Sequence, residues 1–115
     1  VKEAFRRTKN RIYPEGGVRE IQAEVAIRNP KLILEARKRY GTRCTICSFD
    51  FKKQYGDLGD GFIEVHHLKP LSEQRNRMMT RIEDVTVVCP NCHRMIHKKR
   101  PAISPDKLKS LIRNA

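Results

Sequence analysis

Apolar residues near the start of the chain recur at approximately helical spacing. They are Val18, Ile21, Val25 and Ile27, and they predict a helix over residues 18–28. Asn29 followed by Pro30 ends that helix and begins another, because proline fits a first helical turn and not a helix interior. We predict that the second helix runs to residue 40, before Gly41, and packs on the first through Leu32, Ile33, Leu34 and Ala36.

The second half of the chain contains shorter patterns. Residues 62–66 and 85–88 are rich in apolar and β-branched side chains and predict two strands. Pro90 suits the first turn of a helix that reaches about residue 98. Ser104 followed by Pro105 predicts a last helix over 106–113. Two short strands among several helices predict an α+β fold.

These elements divide the chain into three parts of one compact domain. Residues 1–42 form a basic N-terminal arm and two helices, 43–99 a central core, and 100–115 a C-terminal helix. A chain of 115 residues with a modest apolar fraction has a small core. We therefore expect a cross-link of some kind to contribute to its stability.

The charge of the chain narrows the choice of partners. Lys and Arg number 25 against 13 Asp and Glu, which gives a net charge of +12. A field of this sign attracts polyanions, with nucleic acid the first candidate; a generic basic protein and a membrane-surface binder are the alternatives. No apolar run is long enough for a membrane span, and no secretory signal is evident, so we expect a cytoplasmic protein.

The four cysteines form two pairs with identical spacing, Cys44 with Cys47 and Cys89 with Cys92. Two intervening residues let a tight turn direct both sulfurs at one ion, and two such pairs complete a tetrahedral shell. This pattern predicts a structural Zn²⁺ site. Disulfides are the alternative, but they are uncommon in a reducing compartment.

All four histidines lie between or just beyond the cysteine pairs. His66 and His67 are adjacent at the end of a predicted strand, so they point to opposite sides and cannot both be ligands of one ion. His93 and His97 are four positions apart and share one face of a predicted helix. We expect His93 to face His66 across a small cation.

Two segments resemble the HNH endonucleases: IEVHHLKPL at 63–71 and EDVTVVCPNCH at 83–93. Over residues 29–100 the chain looks most like the HNH domains attached to modification-dependent restriction enzymes. This closer likeness includes FDF at 49–51, YG at 55–56 and HRMIH at 93–97. The resemblance implies a small ββα-metal (His-Me finger) core held by the four-cysteine zinc site, with flanking N-terminal and C-terminal helices.

The resemblance also implies a role for each matching residue. His67 would be the general base, and His66 and His93 would ligate a divalent cation. His97 matches a third ligand in the nuclease colicins and a phosphate contact in other members. Asp84 occupies the position of the family's asparagine, which fixes the loop opposite the base by hydrogen bonds. An aspartate can accept such bonds but cannot donate an amide proton.

Phosphodiester hydrolysis agrees with these residue types. Histidine has an ordinary pKa near 6.5 and can take a proton from water, while a metal ion stabilises charge on the phosphate oxygens. We expect Mg²⁺ or Mn²⁺ as the catalytic ion, with Ni²⁺, Co²⁺ or Zn²⁺ able to occupy the site.

Basic residues surround the histidines in the sequence, several of them in an expected exposed loop at 72–81. We expect some of them to neutralise phosphates, and a solvated basic surface is the alternative. They are Arg75, Arg77, Arg81, Arg94, Lys98, Lys99 and Arg100.

Two other functions share part of this pattern. A zinc-containing DNA-binding module without catalysis has the same charge and cysteines, but it gives no reason for the histidine arrangement. A secreted toxin of the colicin type would need a carrier domain and an inhibitor. RNA is a further candidate substrate. Because no base-reading element is evident, we expect specificity to reside in a partner domain of a longer chain, and double-strand cleavage to need a homodimer.

Overall fold

The computed structural model describes residues 11–22, 28–69 and 79–112. Over these ranges it contains two strands, β1 (Glu64–His67) and β2 (Val85–Val88), together with four helices. The helices are α1 (Pro30–Tyr40), α2 (Phe51–Tyr55), α3 (Pro90–Ile96) and α4 (Pro105–Leu111). Short 3-10 turns lie at Gly56–Gly59 and Ile82–Asp84. The predicted α+β class is confirmed.

Helix α1 has the ends that the sequence predicts. The Asn29 side chain accepts a hydrogen bond from the Lys31 backbone N–H at 2.9 Å, and Pro30 occupies the first turn. At the other end, Gly41 has a φ of 81° and its N–H donates to the Arg37 carbonyl. A positive φ favours glycine, so the helix stops where the sequence indicates.

The predicted helix over 18–28 is wrong where the structure describes it. Residues 18–22 have no regular structure, Val18 is fully exposed, and Ile21 is 73% exposed. Residues 23–27 lie outside the described ranges. A short amphipathic helix needs a surface that buries its apolar face, and spacing alone does not supply one.

Among the described residues, helix α1 packs on the sheet. Ala36 is completely buried, and Leu32 and Ile33 are partly buried against the core, whereas Leu34 is 56% exposed. The Tyr40 hydroxyl donates to the Ile82 carbonyl at 2.8 Å. The helix therefore spans the sheet and reaches the turn that precedes β2.

Strands β1 and β2 are antiparallel, with Glu64 opposite Val88 and His67 opposite Val85. The predicted second strand is confirmed, while β1 begins two residues later and ends one residue later than predicted. Strand β1 extends only as far as it can pair with the four residues of β2, so its bounds are set by the partner strand. Side chains alternate along β1, so Glu64 and His66 share one face and Val65 faces the other.

The hydrophobic core lies between the sheet, α1, α3 and α4. Its buried members outside the cysteines are Ala36, Ile46, Ile63, Val65, Val85, Val87, Val88, Ile96 and Leu108. Helix α3 ends at Ile96, before the predicted end near 98, and the Ile103 N–H then donates to the Ile96 carbonyl at 3.2 Å. Helix α4 begins at Pro105, one residue before the predicted start, and the Ser104 hydroxyl caps it by accepting from the Lys107 N–H. It ends at Leu111, two residues before the predicted end at 113.

The segment 49–62 connects the first cysteine pair to β1 through an aromatic cluster. Phe51 contacts Phe49 and Phe62 edge to face, each at a ring separation of 4.7 Å. The Asp50 carboxylate accepts from the Lys52 N–H at 3.0 Å and caps α2. These contacts join the segment to the start of β1, where the candidate site begins.

Candidate metal centres

The structure brings all four cysteines together. The four Sγ atoms all lie within 4.8 Å of one another, and none of the four cysteines forms a disulfide. Sγ of Cys47 and Sγ of Cys89 are 3.6 Å apart, although 42 positions separate them in the chain. Ligands of a tetrahedral Zn²⁺ with Zn–S bonds of about 2.3 Å are separated by about 3.8 Å. The cluster therefore fits a zinc ion, and the disulfide alternative does not describe it.

Burial changes the pKa values of the clustered cysteines. Burial raises the pKa of the Cys89 thiol and of the Cys92 thiol. Burial also raises the pKa of Cys44, but hydrogen bonds from nearby backbone N–H groups outweigh it and lower the pKa to about 7. A dication would displace the protons that burial otherwise retains, which couples zinc binding to folding.

Three histidines form a second cluster, which we call the histidine triad: His66, His93 and His97. Their ring centroids are 5.0 to 5.4 Å apart, and one ring nitrogen of each lies within 4.8 Å of the others. His66 comes from β1, His93 from α3, and His97 is the C-cap residue directly after α3. His66 is buried and His97 is exposed, so the triad opens to solvent on one side.

Glu64 completes this site, and the sequence analysis did not single it out. Its carboxylate accepts a hydrogen bond from Nδ1 of His93 at 2.9 Å. A proton held on Nδ1 leaves Nε2 free to coordinate a cation, which is the usual arrangement of a metal-bound histidine. The signal was present, because Glu64 and His66 are two positions apart on one face of a predicted strand.

The triad fits a divalent cation. Burial, followed by repulsion from His93 and His97, lowers the pKa of His66 to about 4, so its imidazole is neutral at neutral pH. Burial and then His93 and Arg28 also lower the pKa of His97. Nδ1 of His66 is buried without a hydrogen-bond partner in the described part of the chain. Three imidazoles are a donor set that suits several first-row transition metals.

His67 lies outside the triad, as the strand alternation predicts. It is the last residue of β1, is 7% exposed, and has an Nδ1 without a hydrogen-bond partner among the described residues. Burial, followed by the charges of Arg28 and His93, lowers the pKa of His67, while Asp84 acts in the opposite direction. The imidazole is therefore neutral at neutral pH and able to accept a proton.

Asp84 holds the loop next to His67 by two hydrogen bonds. Its carboxylate accepts from the Arg81 N–H at 2.8 Å, and its main-chain carbonyl accepts from the Leu68 N–H at 2.9 Å. The first bond closes the turn at Ile82–Asp84, and the second connects that turn to the end of β1. Asp84 is the acceptor in both bonds, so neither bond needs the amide proton that an asparagine side chain could donate.

Arg28 is a second residue that the sequence analysis missed. Its charge contributes to lowering the pKa of His66, His67 and His97, so it is electrostatically coupled to both sides of the site. Its position before α1, far from the histidines in sequence, offered no pattern by which to find it.

The predicted basic residues are exposed where the structure describes them. These are Arg81, Arg94, Lys98, Lys99 and Arg100. Arg75 and Arg77 lie outside the described ranges. Within those ranges, no helix combines the length and the apolar character needed to cross a bilayer.

Two strands and a helix that collect three imidazoles, next to four clustered cysteines, define a small ββα metal-binding domain. Residues 44–99 match the family model of the HNH endonucleases. This segment contains every cysteine and histidine of the chain, and it belongs to the HNH endonuclease family. No curated protein matches the chain at a significant level. The family indicates a nuclease, with DNA as its substrate.

Proposed function

We propose that this protein is a divalent-metal-dependent DNA endonuclease that hydrolyses phosphodiester bonds with His67 as its general base. The observation that carries the proposal is the division of the histidines. Three converge within coordination range of one ion, while the fourth is buried and neutral on the other side of the strand. A site for one cation next to a free imidazole base is the minimum that such hydrolysis needs.

Each residue of the site has a separate task in this proposal. His67 accepts the proton of the attacking water. Asp84 holds the end of β1 through the Leu68 bond and so orients His67. The Arg28 guanidinium binds the phosphate that is cut and offsets its charge.

His66, His93 and His97 would hold the catalytic cation, and Glu64 would orient His93. When bound, the ion supplies positive charge that stabilises the phosphate and the leaving oxygen. Imidazoles suit Co²⁺, Ni²⁺ and Zn²⁺ best, whereas Mg²⁺ and Mn²⁺ are usually held by oxygen ligands. Of the latter two, Mn²⁺ is a transition metal that accepts nitrogen ligands more readily, so we favour Mn²⁺ over Mg²⁺ at three imidazoles. The cysteine cluster would hold a structural Zn²⁺.

The biological role that we propose is restriction or DNA nicking in the cytoplasm, as in the modification-dependent enzymes that the sequence resembles. One active site cuts one strand, so double-strand cleavage would use a homodimer. Base or modification recognition would come from another domain of a longer chain.

The test is nicking of supercoiled plasmid with Mn²⁺, with Mg²⁺ and with EDTA. We expect the parent to nick DNA with Mn²⁺ and not with EDTA. His67→Ala should lower the rate by roughly 10² to 10⁴, the range for loss of a general base. It should leave the affinity for DNA unchanged, because His67 holds no ion and contacts no phosphate in this proposal.

The alternative, a DNA-binding module without catalysis, is not favoured, because it does not account for the histidine triad. A parent that binds plasmid but never nicks it with any of these ions would support that alternative and reject ours. Equal nicking by the parent and by His67→Ala would remove His67 from the mechanism.

A further inference from the structure

A cleft of about 320 Å³ opens next to the histidine triad. One wall is formed by His66, Leu68 and Lys69 at the end of β1, and the other by residues 101–105. His66 is thus part of both the triad and the cleft. A molecule whose phosphate lies at the triad would bring its neighbouring atoms to the cleft.

The wall at 101–105 is fixed by the fold. The Ile103 N–H donates to the Ile96 carbonyl at 3.2 Å, and the side chains of Ala102 and Ile103 pack against the core. The Ser104 hydroxyl accepts from the Lys107 N–H at 3.1 Å. The cleft is therefore preformed, as small-molecule sites usually are.

The opposite wall presents an apolar side chain that the fold does not use. Leu68 is 50% exposed, although its backbone N–H is held by the Asp84 carbonyl at 2.9 Å. Lys69 adds an exposed cation at the same wall. The cleft therefore offers apolar contact and one positive charge.

We propose that this cleft binds an unpaired nucleobase adjacent to the phosphate that is cut. The proposal rests on the proposed function, since that function brings the phosphate to the triad. The base is attached to that phosphate through one sugar, its faces are apolar and aromatic, and its next phosphate complements Lys69. The net charge of +12 favours the same polyanion.

The pairing state of the base follows from the cleft. In a duplex, both faces of a base are stacked, so a base can enter a protein cleft only when it is single-stranded, mismatched or extruded. Contact with apolar side chains tolerates every base, because each has a π face. We therefore expect cleavage to favour unpaired DNA and to depend little on the identity of the base.

The experiment is a double-mutant cycle that combines removal of the base with replacement of Leu68. The cut position is first mapped on a single-stranded oligonucleotide, and an abasic residue is then placed on either side of it. Loss of the base on one side should lower kcat/KM of the parent by about tenfold, in the lower part of the range for bases stacked on aromatic side chains. In Leu68→Ala, loss of the base should lower kcat/KM by less than about threefold, because the base no longer has its contact with the leucine side chain.

Leu58→Ala is the matched control, since Leu58 is 89% exposed on the turn Gly56–Gly59 and does not line the cleft. This variant should still cleave the intact oligonucleotide with a kcat/KM about tenfold higher than that of the abasic one. Leu68→Gln, which keeps the side-chain length but not the apolar character, should behave like Leu68→Ala. Circular dichroism of each variant checks that the fold is intact.

Equal cleavage of intact and abasic oligonucleotides would overturn the cleft proposal, as would an unchanged preference in Leu68→Ala and Leu68→Gln. Failure of the proposed function has a different signature: the parent would cut no oligonucleotide with any of the ions. The same cycle is then measured by binding of oligothymidylate and an abasic oligomer of equal length. Equal affinities would reject the cleft.

Discussion

Glu64 and His93 are joined by a hydrogen bond of 2.9 Å between the carboxylate and Nδ1, across 29 positions of the chain. The bond connects the two elements that carry the histidine triad, since Glu64 begins β1 and His93 lies in α3. It sets both the orientation of the His93 ring and the nitrogen that carries the proton.

Replacing Glu64 by glutamine should therefore weaken the catalytic metal and leave the zinc in place. Loss of a carboxylate partner of a metal-bound histidine typically costs 10- to 100-fold in affinity or activity. Calorimetric titration of the zinc-loaded protein with Mn²⁺ measures the effect. Glu35→Gln is the control, because Glu35 is an exposed residue of α1 that pairs only weakly with Lys38. Equal Mn²⁺ affinity in the two variants would contradict the role of Glu64.

The pH dependence of cleavage should report the environment of His67. Burial, Arg28 and His93 lower its pKa below the ordinary 6.5, and the base acts only when it is deprotonated. A lowered pKa means that the acid limb of kcat/KM, on which the rate rises with pH, has its midpoint below pH 6.5. Single-turnover rates from pH 4.5 to 8 at saturating Mn²⁺ check this. An acid limb centred above pH 7 would be inconsistent with His67 as the base.

Arg28→Gln should raise the pKa of His67, because one of the two repulsive charges is removed. The acid limb of the rate profile should then move to higher pH, and the rate at the plateau should fall as phosphate binding weakens. Arg39→Gln, on the exposed surface of α1, is the control that should move neither. A lower plateau rate without a shift of the acid limb would show that Arg28 binds phosphate but does not lower the pKa of His67.

Removal of the zinc should unfold the domain. The four thiolates contribute to a small core, and the free energy of binding zinc to such a site adds directly to the free energy of folding. We expect Cys47→Ser to bind less than one zinc per chain and to lose the cooperative thermal transition. Zinc content and circular dichroism measure this. His66→Ala should keep one tightly bound zinc, and loss of zinc in that variant would show that the two sites are not separate.

Ile96 is expected to hold α3 in place. Its side chain is completely buried, and its carbonyl accepts the bond that turns the chain toward the cleft. Ile96→Ala should lower the free energy of unfolding by about 2 to 5 kcal/mol, which urea denaturation of the zinc-loaded protein would measure. Met95→Ala, at a half-exposed neighbour, should cost much less. Similar losses in both variants would show that burial at Ile96 is not what stabilises α3.

The sequence by itself determined the local elements and the chemistry. Asn29, Pro30 and Gly41 specify the ends of α1, because capping and backbone freedom act over a few residues. The paired cysteines predict their own cluster, since the tight turns that direct their sulfurs are local. Strand alternation likewise separates His66 from His67 without knowledge of the fold.

Only the tertiary structure determined which distant residues of the chain contact one another. The hydrogen bond between Glu64 and His93, the electrostatic coupling of Arg28 to the histidines, and the cleft beside His66 all depend on chain packing across long sequence separations. The same reason accounts for the error over 18–22, where Val18 and Ile21 have helical spacing but remain exposed. Periodicity is a property of neighbouring residues, whereas burial is a property of the whole folded chain.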